Sequence, residues 1–473
     1  MSRATTRQIS FADWELMQQH VQLEPVLQAI SDFLDDQNDI IECIRCDLVR
    51  GLKNPGSGRR GLTARQILRS LVLMRIKNWD YRELRERIAD GLTLRQFTDF
   101  YCAPVPKHDA FQRGVVRLQP QTLVTVNDLL IRVAVKLGLE DGTKLRVDTT
   151  VVQTDIHHPT DSTLLWDVVR VVTRLVGRLA KALGLRKIAG FCNRTRSAHR
   201  RMYEIQRMTT KQRGQWLTGT YRKLIGITEE VLGSSRAALE KTAKMRGKDL
   251  LDNLAIEHLR KEIEHYCELG DRVVDQARRR VLNGEPVPNS DKLYSIFEPH
   301  TDLIKRGKVR SPVEFGHKVF LAESAQGLIT QYQVLKGNPV DEIHVASSLE
   351  RHKQTFGRAP HWYSSDRGFF SEPNLALCKQ AHVKLVCIPQ RGGRKTPQRE
   401  AYEHCAAFKE GQRFRAGIEG RISVLFRGRG MKRCLAEGRE RFELLVGAAV
   451  LANNLMRIAE MLMTRSPQAR TAA

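Results

Sequence analysis

The stretch Lys144-Leu-Arg-Val-Asp-Thr-Thr-Val-Val152 is the most informative part of the sequence. Its β-branched and apolar residues predict a buried β-strand. Aspartate is disfavoured inside strands, yet Asp148 stands in the middle of this one. Arg146 lies on the same face of the strand, two residues away, and a pairing with it would be the ordinary structural explanation. The alternative is that Asp148 serves chemistry.

The residues after position 310 predict an alternation of strands and helices. Strands are predicted at 315–321 and 328–335, joined as a hairpin by the turn Ser324-Ala-Gln-Gly327. Further elements are predicted in this order: a helix at 341–356, a strand at 362–365, a helix at 373–380, a strand at 383–388, a basic loop at 389–400, and helices at 412–427 and 440–463. This pattern indicates an α/β domain with a mixed sheet.

Two further carboxylates stand at positions suited to chemistry. Asp366 lies just past the end of a predicted strand, where functional side chains commonly occur. Glu419 lies on a predicted helix, one turn after Arg415, which would orient the carboxylate or reach a phosphate. A helix glutamate is usually a surface charge, so the order of the elements, and not any single residue, gives the three carboxylates their weight.

The composition points to a polyanionic partner. The chain of 473 residues carries 78 Lys and Arg against 53 Asp and Glu, a formal net charge of +25. Such an excess favours nucleic acid or an anionic membrane. No stretch approaches the ~18 uninterrupted apolar residues of a spanning helix, and the N-terminus has no signal-peptide core. We therefore expect a cytoplasmic protein and no membrane partner.

The cysteines give no sign of a disulfide framework or of a zinc site. There are nine, an odd number, and they are scattered along the chain. Cys43 and Cys46 form one CxxC pair, but no second close pair follows to complete a zinc ribbon. We expect both to be ordinary helix cysteines.

The N-terminal region is predicted to be helical. Residues 8–50 carry apolar positions at helical spacings, and a basic, turn-rich break follows at 54–61. Three short helices are then predicted, with Thr63, Asp80 and Thr93 as N-caps and Gly91 as a stop. They suit either a helix-turn-helix fold or a domain for packing and oligomerisation.

Residues from about 160 to 290 predict a second helical and basic region. Arg170, Arg174, Arg178 and Lys181 fall on one face of a helix that begins near 161–163. Aromatic residues lie among further basic ones, as in surfaces that track a nucleic-acid backbone. A solvated helix face with aromatic residues in the core is the simpler alternative for each residue taken alone.

Two features of this region resemble sites but have plainer explanations. Asp155, His157, His158 and Asp161 crowd one loop, as metal ligands would, although adjacent histidines on an extended chain point in opposite directions. A structural role is therefore favoured. Trp166 suits stacking on an unpaired base, while packing at the start of its helix is the favoured explanation.

Three stretches resemble the acidic blocks of bacterial insertion-sequence transposases of the DDE class. They are Leu145-Arg-Val-Asp-Thr-Thr-Val-Val152, Tyr363-Ser-Ser-Asp-Arg-Gly-Phe-Phe370 and Phe414-Arg-Ala-Gly-Ile-Glu-Gly-Arg-Ile422. The helical segment 62–100 is similar to the N-terminal domain of many of these enzymes, and Leu451-Ala-Asn-Asn-Leu455 resembles their C-terminal helix. The likeness extends from about residue 60 to 463.

The resemblance implies a catalytic triad of Asp148, Asp366 and Glu419 that would hold two Mg²⁺ or Mn²⁺ ions. It also implies DNA contacts from Arg415 and Arg427. Lys318, on a strand expected near the site, suits a phosphate contact or a surface position equally. One common family motif has a tyrosine and a lysine where this chain has Gln412 and Phe426. Arg427, next to Phe426, would replace that lysine.

The resemblance also implies an organisation for the whole chain. We expect an N-terminal helical DNA-binding and assembly domain at 1–138 and a ribonuclease H-like catalytic domain at 139–160 and 300–464. A basic helical insertion would occupy 161–299, and a disordered tail 465–473. The partners would be the element ends and target DNA, with at least a dimer in the active complex. A DNA-binding protein without catalysis and a metal-dependent nuclease remain alternatives.

Overall fold

The computed structural model describes residues 22–55, 61–305 and 313–465. Three expectations fall wholly or partly elsewhere. Residues 8–21 of the predicted first helix lie outside the described residues. So do most of the predicted break at 54–61 and the predicted tail beyond Arg465. Arg465 itself still belongs to the last helix.

The regular elements follow in chain order. The first seven helices are α1 (Pro25–Asp35), α2 (Asn38–Val49), α3 (Ala64–Lys77), α4 (Tyr81–Asp90), α5 (Leu92–Phe97), α6 (His108–Val116) and α7 (Pro120–Lys136). Strand β1 (Lys144–Thr154) is followed by α8 (Asp161–Ala182), α9 (Thr195–Arg207), α10 (Thr210–Thr242) and α11 (Leu250–Ala277). The remaining elements are β2 (Asp302–Lys305), β3 (Val313–Ser324), β4 (Ile329–Val334), α12 (His344–Phe356), β5 (Trp362–Ser364), α13 (Glu372–Gln380), β6 (Leu385–Cys387), α14 (Pro397–His404), α15 (Ala406–Gly428), β7 (Arg433–Cys434) and α16 (Arg439–Arg465).

The chain divides into two compact units. The first contains the residues up to Gln153 and those from His317 onward, and the second is Thr154–Gly316. The N-terminal helices thus share a unit with most of the sheet. The domain boundary expected at residue 138 stays a prediction, since it falls inside this first unit.

Two of the N-terminal helices, α3 and α4, begin at side chains that satisfy their first backbone N–H groups. The Thr63 hydroxyl accepts from the Gln66 N–H and the Gln66 side chain accepts in return, a capping box that opens α3. Asp80 caps α4 by accepting from two backbone N–H groups. The prediction for the next helix was wrong, because α5 begins at Leu92 with Gly91, not Thr93, at its N-cap.

The sheet is mixed and open. Among the described residues it has seven strands in the order β2-β3-β1-β5-β6, with β4 paired to β3 and β7 to β1. β1, β5 and β6 run parallel, while β3 and β4 form the predicted antiparallel hairpin. One correction concerns the predicted basic loop at 389–400, which turns into helix α14 from Pro397.

Helices cover both faces of the sheet in the first unit. Leu145 and Val147 of β1 pack with residues of α12 and α13 on one face. Val152, whose side chain points to the opposite face, packs with Ile418 of α15 and Val446 of α16. A two-residue alternation in β1 therefore determines which side chains meet α15.

Helix α16 is long and apolar enough, by length and composition alone, to cross a membrane. Its most apolar 18-residue window has a mean hydropathy of 1.4, but 78% of that window is buried within the protein. Leu444, Leu451, Leu455 and Ile458 pack into a core formed mainly by α1 to α7. This burial is typical of the core helix of a soluble protein.

The second unit is built on helices α8 to α11. Their apolar faces share one core. Helix α8 contributes apolar pairs that recur every three to four residues, namely Leu164–Leu165, Val168–Val169 and Val171–Val172. The unit also contains β2, which pairs antiparallel with Val313–Gly316. The predicted basic helical insertion at 161–299 lies within this unit, which spans 154–316, and its limits stay a prediction.

Candidate functional site

Asp148 lies on the face of β1 that is covered by α15. Arg146 and Asp148, two residues apart, both contact that helix: Arg146 donates to the Phe414 carbonyl at 2.7 Å, and Asp148 accepts from Arg415 at 3.1 Å. Asp148 is 8% exposed. A carboxylate at this depth requires polar partners. It has two, because its other oxygen accepts from the Thr149 backbone N–H at 2.7 Å.

Asp366 follows the strand that runs parallel to β1. The register pairs Lys144 with Trp362 and Arg146 with Ser364. Continued by two residues, the same register places Asp366 opposite Asp148. Neighbouring strands lie about 5 Å apart, so the two aspartates come together at one edge of the sheet. The Asp366 carboxylate accepts from the Gly368 N–H at 2.8 Å, which caps a short 3-10 turn.

Glu419 is connected to this group of residues through Arg415. The guanidinium of Arg415 donates to Glu419 at 3.0 Å and to Asp148 at 3.1 Å, so one cation stands between the two carboxylates. The Glu419 side chain is 67% exposed, against 11% for that of Asp148. The three predicted carboxylates are thus brought into one region, with Glu419 at its solvent edge.

A fourth carboxylate, Asp341, belongs to the same site and was missed by sequence reasoning. It opens the 3-10 turn before α12 and accepts from the Thr149 hydroxyl at 2.9 Å. Lys318 of β3 forms an ion pair with it at 2.8 Å. Asp341 stands before a helix, where an acidic residue is common for reasons of helix capping alone. Its position in the sequence therefore did not distinguish it from an ordinary capping residue.

Gly368 allows Asp341 and Asp366 to approach each other. A Cβ atom at this glycine would lie 2.9 Å from one Asp341 oxygen and 3.0 Å from one Asp366 oxygen. The first distance is shorter than real Cβ contacts, and the second is tighter than nearly all of them. The two carboxylates therefore crowd the same small space, and any side chain at position 368 would push at least one of them away.

The electrostatics of the site follow from this crowding. Burial raises the pKa of Asp148 to about 6, and the negative charges of Asp366 and Asp341 add to the increase. The Arg415 guanidinium and the Thr149 N–H act in the opposite direction. The pKa is raised although Arg415 is in contact, so a single guanidinium does not fully compensate the burial and crowding of this carboxylate.

A small cleft of about 330 Å³ opens beside Asp366 and Arg415. It is also lined by Gln412 and Lys395. Gln412 stands where the transposase motif has tyrosine, and its amide donates to the carbonyls of Ser365 and Cys387. This amide therefore ties α15 to the ends of β5 and β6 and holds the backbone next to Asp366.

The donor chemistry of the site suits a hard divalent cation. Asp148, Asp341 and Asp366 offer carboxylate oxygens, which are the ligands that Mg²⁺ prefers. Within the described ranges, however, no three His, Cys, Asp or Glu side chains are arranged to hold a metal ion. Two side-chain cations are paired with these carboxylates: Arg415 contacts both Asp148 and Glu419, and Lys318 contacts Asp341.

The ordinary explanation for Asp148, a pairing with Arg146, does not hold. Arg146 instead pairs with Glu323 of β3 at 2.8 Å, and Arg421 of α15 pairs with the second Glu323 oxygen at 2.9 Å. Glu323 is fully buried. We call this group, together with Phe414, under which Arg146 lies at 4.7 Å from the ring centre, the buried charge cluster.

The other predicted DNA-binding residues fall at different depths. Lys318 is 12% exposed and held by Asp341, which removes the surface-lysine alternative. Arg427 is exposed near the end of α15. In the second unit, Arg170, Arg174, Arg178 and Lys181 are all exposed on one face of α8, as their spacing predicts. Of these four, Arg170 is engaged in an ion pair, with Asp167 at 2.8 Å.

The histidine-rich loop and Trp166 have the structural roles that were favoured. His157 contacts Asp167 at 2.6 Å, and this hydrogen bond raises its pKa. Asp161 accepts from Gln276 and Arg280. Trp166 packs against the core of the second unit and meets the edge of His199. Cys43 and Cys46 lie on α2 as ordinary helix residues with free thiols.

The chain matches no protein-family model, no curated protein and no solved structure.

Proposed function

We propose that this protein is a DDE-class transposase of a bacterial insertion sequence, with a ribonuclease H-like catalytic domain and Asp148, Asp366 and Glu419 as its catalytic carboxylates. The observation that carries the proposal is the parallel pairing of β1 with β5, whose register, continued by two residues past Ser364, would put Asp366 opposite Asp148. The strand order β4-β3-β1-β5-β6 supports the fold assignment. In that fold the first and fourth strands lie side by side, and here β5, which is the fourth strand when the short β2 is left out, lies beside β1.

The residues of the site would have separate roles in holding the metal ions, the backbone and the phosphate. Asp148 and Asp366 would hold a divalent cation, Mg²⁺ or Mn²⁺, and Glu419 would join them for a second ion. Such ions, when bound, stabilise the charge on the attacking and leaving oxygens of an in-line displacement. Gln412 fixes the Ser365 backbone beside Asp366. Arg415 and Lys395, which line the cleft next to Asp366, would bind the scissile phosphate there.

The rest of the chain would supply DNA affinity. The net charge of +25 favours binding along the phosphate backbone. The exposed basic face of α8 offers one such surface, with Arg170, Arg174, Arg178 and Lys181. Arg427 offers a basic group at the end of the helix that carries Glu419. A cytoplasmic protein that pairs two element ends would act as a dimer or a larger assembly.

One second candidate has a specific observation in its favour. Glu419 is 67% exposed and separated from Asp148 by Arg415. A DNA-binding protein that has lost its catalytic activity would tolerate this geometry. The two candidates differ in whether the carboxylates are needed for strand cleavage or are irrelevant to it.

Strand cleavage decides between them. The purified chain would be incubated with Mg²⁺ or Mn²⁺ and with labelled DNA taken from both sides of its own gene. We expect nicks at defined positions and joined products. Asp148→Asn, Asp366→Asn and Glu419→Gln should each reduce cleavage by more than roughly 100-fold, because even groups that only support metal ligands cost about 10- to 100-fold.

Glu410→Gln is the matched control, since Glu410 is a partly exposed carboxylate on the same helix that pairs with Lys144. It should keep full activity. DNA binding without cleavage in the unaltered chain would favour the non-catalytic candidate. Cleavage without joined products would indicate a nuclease.

A further inference from the structure

Arg415 occupies the position of a shared cation between two carboxylates. Its two terminal nitrogens bind different elements, one the strand residue Asp148 at 3.1 Å and the other the helix residue Glu419 at 3.0 Å. In the proposed function, Asp148 and Glu419 would also hold a metal ion. A guanidinium and a divalent ion cannot both stand between them.

The contacts of Arg415 are those of a replaceable ion pair. Its Nε is buried and has no hydrogen-bond partner among the described residues. Its bond to Glu419 is made at the surface, where ion pairs contribute about 0–1 kcal/mol. Arg146, which precedes Asp148 by two residues on β1, uses both its Nε and its Nη1 in partly buried contacts. Arg415 is therefore held mainly by Asp148, and it can leave without dismantling a network.

We propose that Arg415 is the internal counter-ion of the metal-free site, and that a divalent cation must displace it to bind between Asp148 and Glu419. This inference rests on the proposed function. It makes Arg415 a positioning residue that keeps the two carboxylates in place before the metal arrives. Once displaced, its guanidinium lies beside the cleft and can bind a phosphate oxygen of the substrate.

The test measures Mn²⁺ binding to the full chain at neutral pH without DNA, from the electron paramagnetic resonance signal of free Mn²⁺. Arg415→Gln removes the competing cation and should bind Mn²⁺ about tenfold more tightly, or more, than the unaltered chain. Arg415→Lys keeps the charge but cannot bridge both carboxylates. It should show a smaller gain in the same direction.

Arg413→Gln is the matched control. Arg413 is exposed on the same helix, two residues away, and its removal changes the net charge equally without touching Asp148 or Glu419. Its Mn²⁺ affinity should stay within about twofold of the unaltered chain. A second readout is the rise in Tm on adding Mn²⁺, which should be larger for Arg415→Gln than for Arg413→Gln.

The outcomes separate this inference from the proposed function. If neither the unaltered chain nor Arg415→Gln binds Mn²⁺ better than Asp148→Asn, the proposed metal site itself fails. If binding depends on Asp148 but neither Arg415 variant binds more tightly than Arg413→Gln, the metal site stands and the counter-ion role is overturned. Should Arg415→Gln fail to fold, the comparison of Arg415→Lys with Arg413→Gln decides.

Discussion

Two groups of arginines and carboxylates lie between β1 and α15, two residues apart along the strand, and they are built differently. In the buried charge cluster, one fully buried carboxylate, Glu323, is shared by two guanidiniums. In the candidate site the ratio is reversed: Asp148 and Glu419 share the guanidinium of Arg415, and the negative charge of Asp366 acts on Asp148 as well. In the first group each carboxylate oxygen has a guanidinium partner, whereas in the second group the carboxylates outnumber the cations.

The difference separates structural charge from functional charge. A buried carboxylate with both oxygens paired holds neighbouring elements in place, as Glu323 of β3 does for β1 and α15. Burial, with the neighbouring carboxylates adding to it, raises the pKa of Asp148, and the excess of carboxylates favours the arrival of another cation. Surroundings of this kind, more than the identity of any one residue, distinguish the candidate site.

The largest effect on stability is expected in the buried charge cluster. Glu323→Gln leaves Arg146 and Arg421 without their carboxylate in a buried position. Removing one partner of a buried ion pair typically costs about 3–5 kcal/mol. Urea unfolding followed by circular dichroism should show this loss. A change below about 1 kcal/mol would mean that the two clusters do not differ in the way described.

The second effect depends on pH and belongs to Asp148. Its pKa is about 6 when folded and 3.8 ordinarily, so the folded chain binds this proton more tightly than the unfolded chain. The resulting stability is present below about pH 4 and is lost as the pH rises through about 6. The Asp148→Asn variant has no such proton to lose.

Relative to the unaltered chain, the free energy of unfolding of Asp148→Asn should therefore rise by up to about 3 kcal/mol between pH 4 and pH 7. The measurement is urea unfolding of metal-free protein, in chelator, at several pH values. A difference that stays constant across this range would show that Asp148 titrates normally and that the site is not crowded.

The third effect concerns how closely α15 approaches the sheet. A Cβ atom at Gly417 would overlap the Arg146 guanidinium. Gly417→Ala should cost about 1–3 kcal/mol by overpacking and by disturbing the buried charge cluster. Gly420, on the same helix, faces open space. Gly420→Ala should stabilise by about 0.5–1 kcal/mol. Thermal unfolding of the pair would test both signs together.

The smallest effect on stability is expected at Glu419. Its side chain is 67% exposed, so Glu419→Gln should change the free energy of unfolding by less than about 1 kcal/mol. The same variant is expected to lose strand cleavage, as proposed above. A large loss of stability would place Glu419 with Glu323 as a structural residue and would weaken the catalytic proposal.

The local elements of the site were predicted correctly where the sequence shows a hydrophobic period or a helix-capping residue. The hairpin β3–β4, the strand before Asp366 and the helix with Glu419 all form. Period-2 alternation placed Arg146 and Asp148 on one face, and both do contact α15. What this pattern could not give was the choice of partner, because Glu323 is more than a hundred residues away in sequence.

Asp341 could not be recognised as a site residue from the sequence for a related reason. Its role depends on Thr149, Lys318 and Gly368, which come from three separate elements. An acidic residue before a helix carries no mark that distinguishes a capping charge from a site charge. The placement of Arg415 between two carboxylates was equally invisible, since helical spacing predicted its contact with Glu419 but not the one with Asp148.

The sharing of one core by α1 to α7 and α16 has a consequence for biosynthesis. Ribosomes deliver α16 last, after the sheet and the second unit. Until then, the apolar surfaces that Leu444, Leu451 and Leu455 cover in the finished protein are open to water or to chaperones. A message that ends prematurely before residue 439 would therefore yield chains with an uncovered N-terminal core, which are candidates for proteolysis. Translation through α16 is therefore a condition for a stable product.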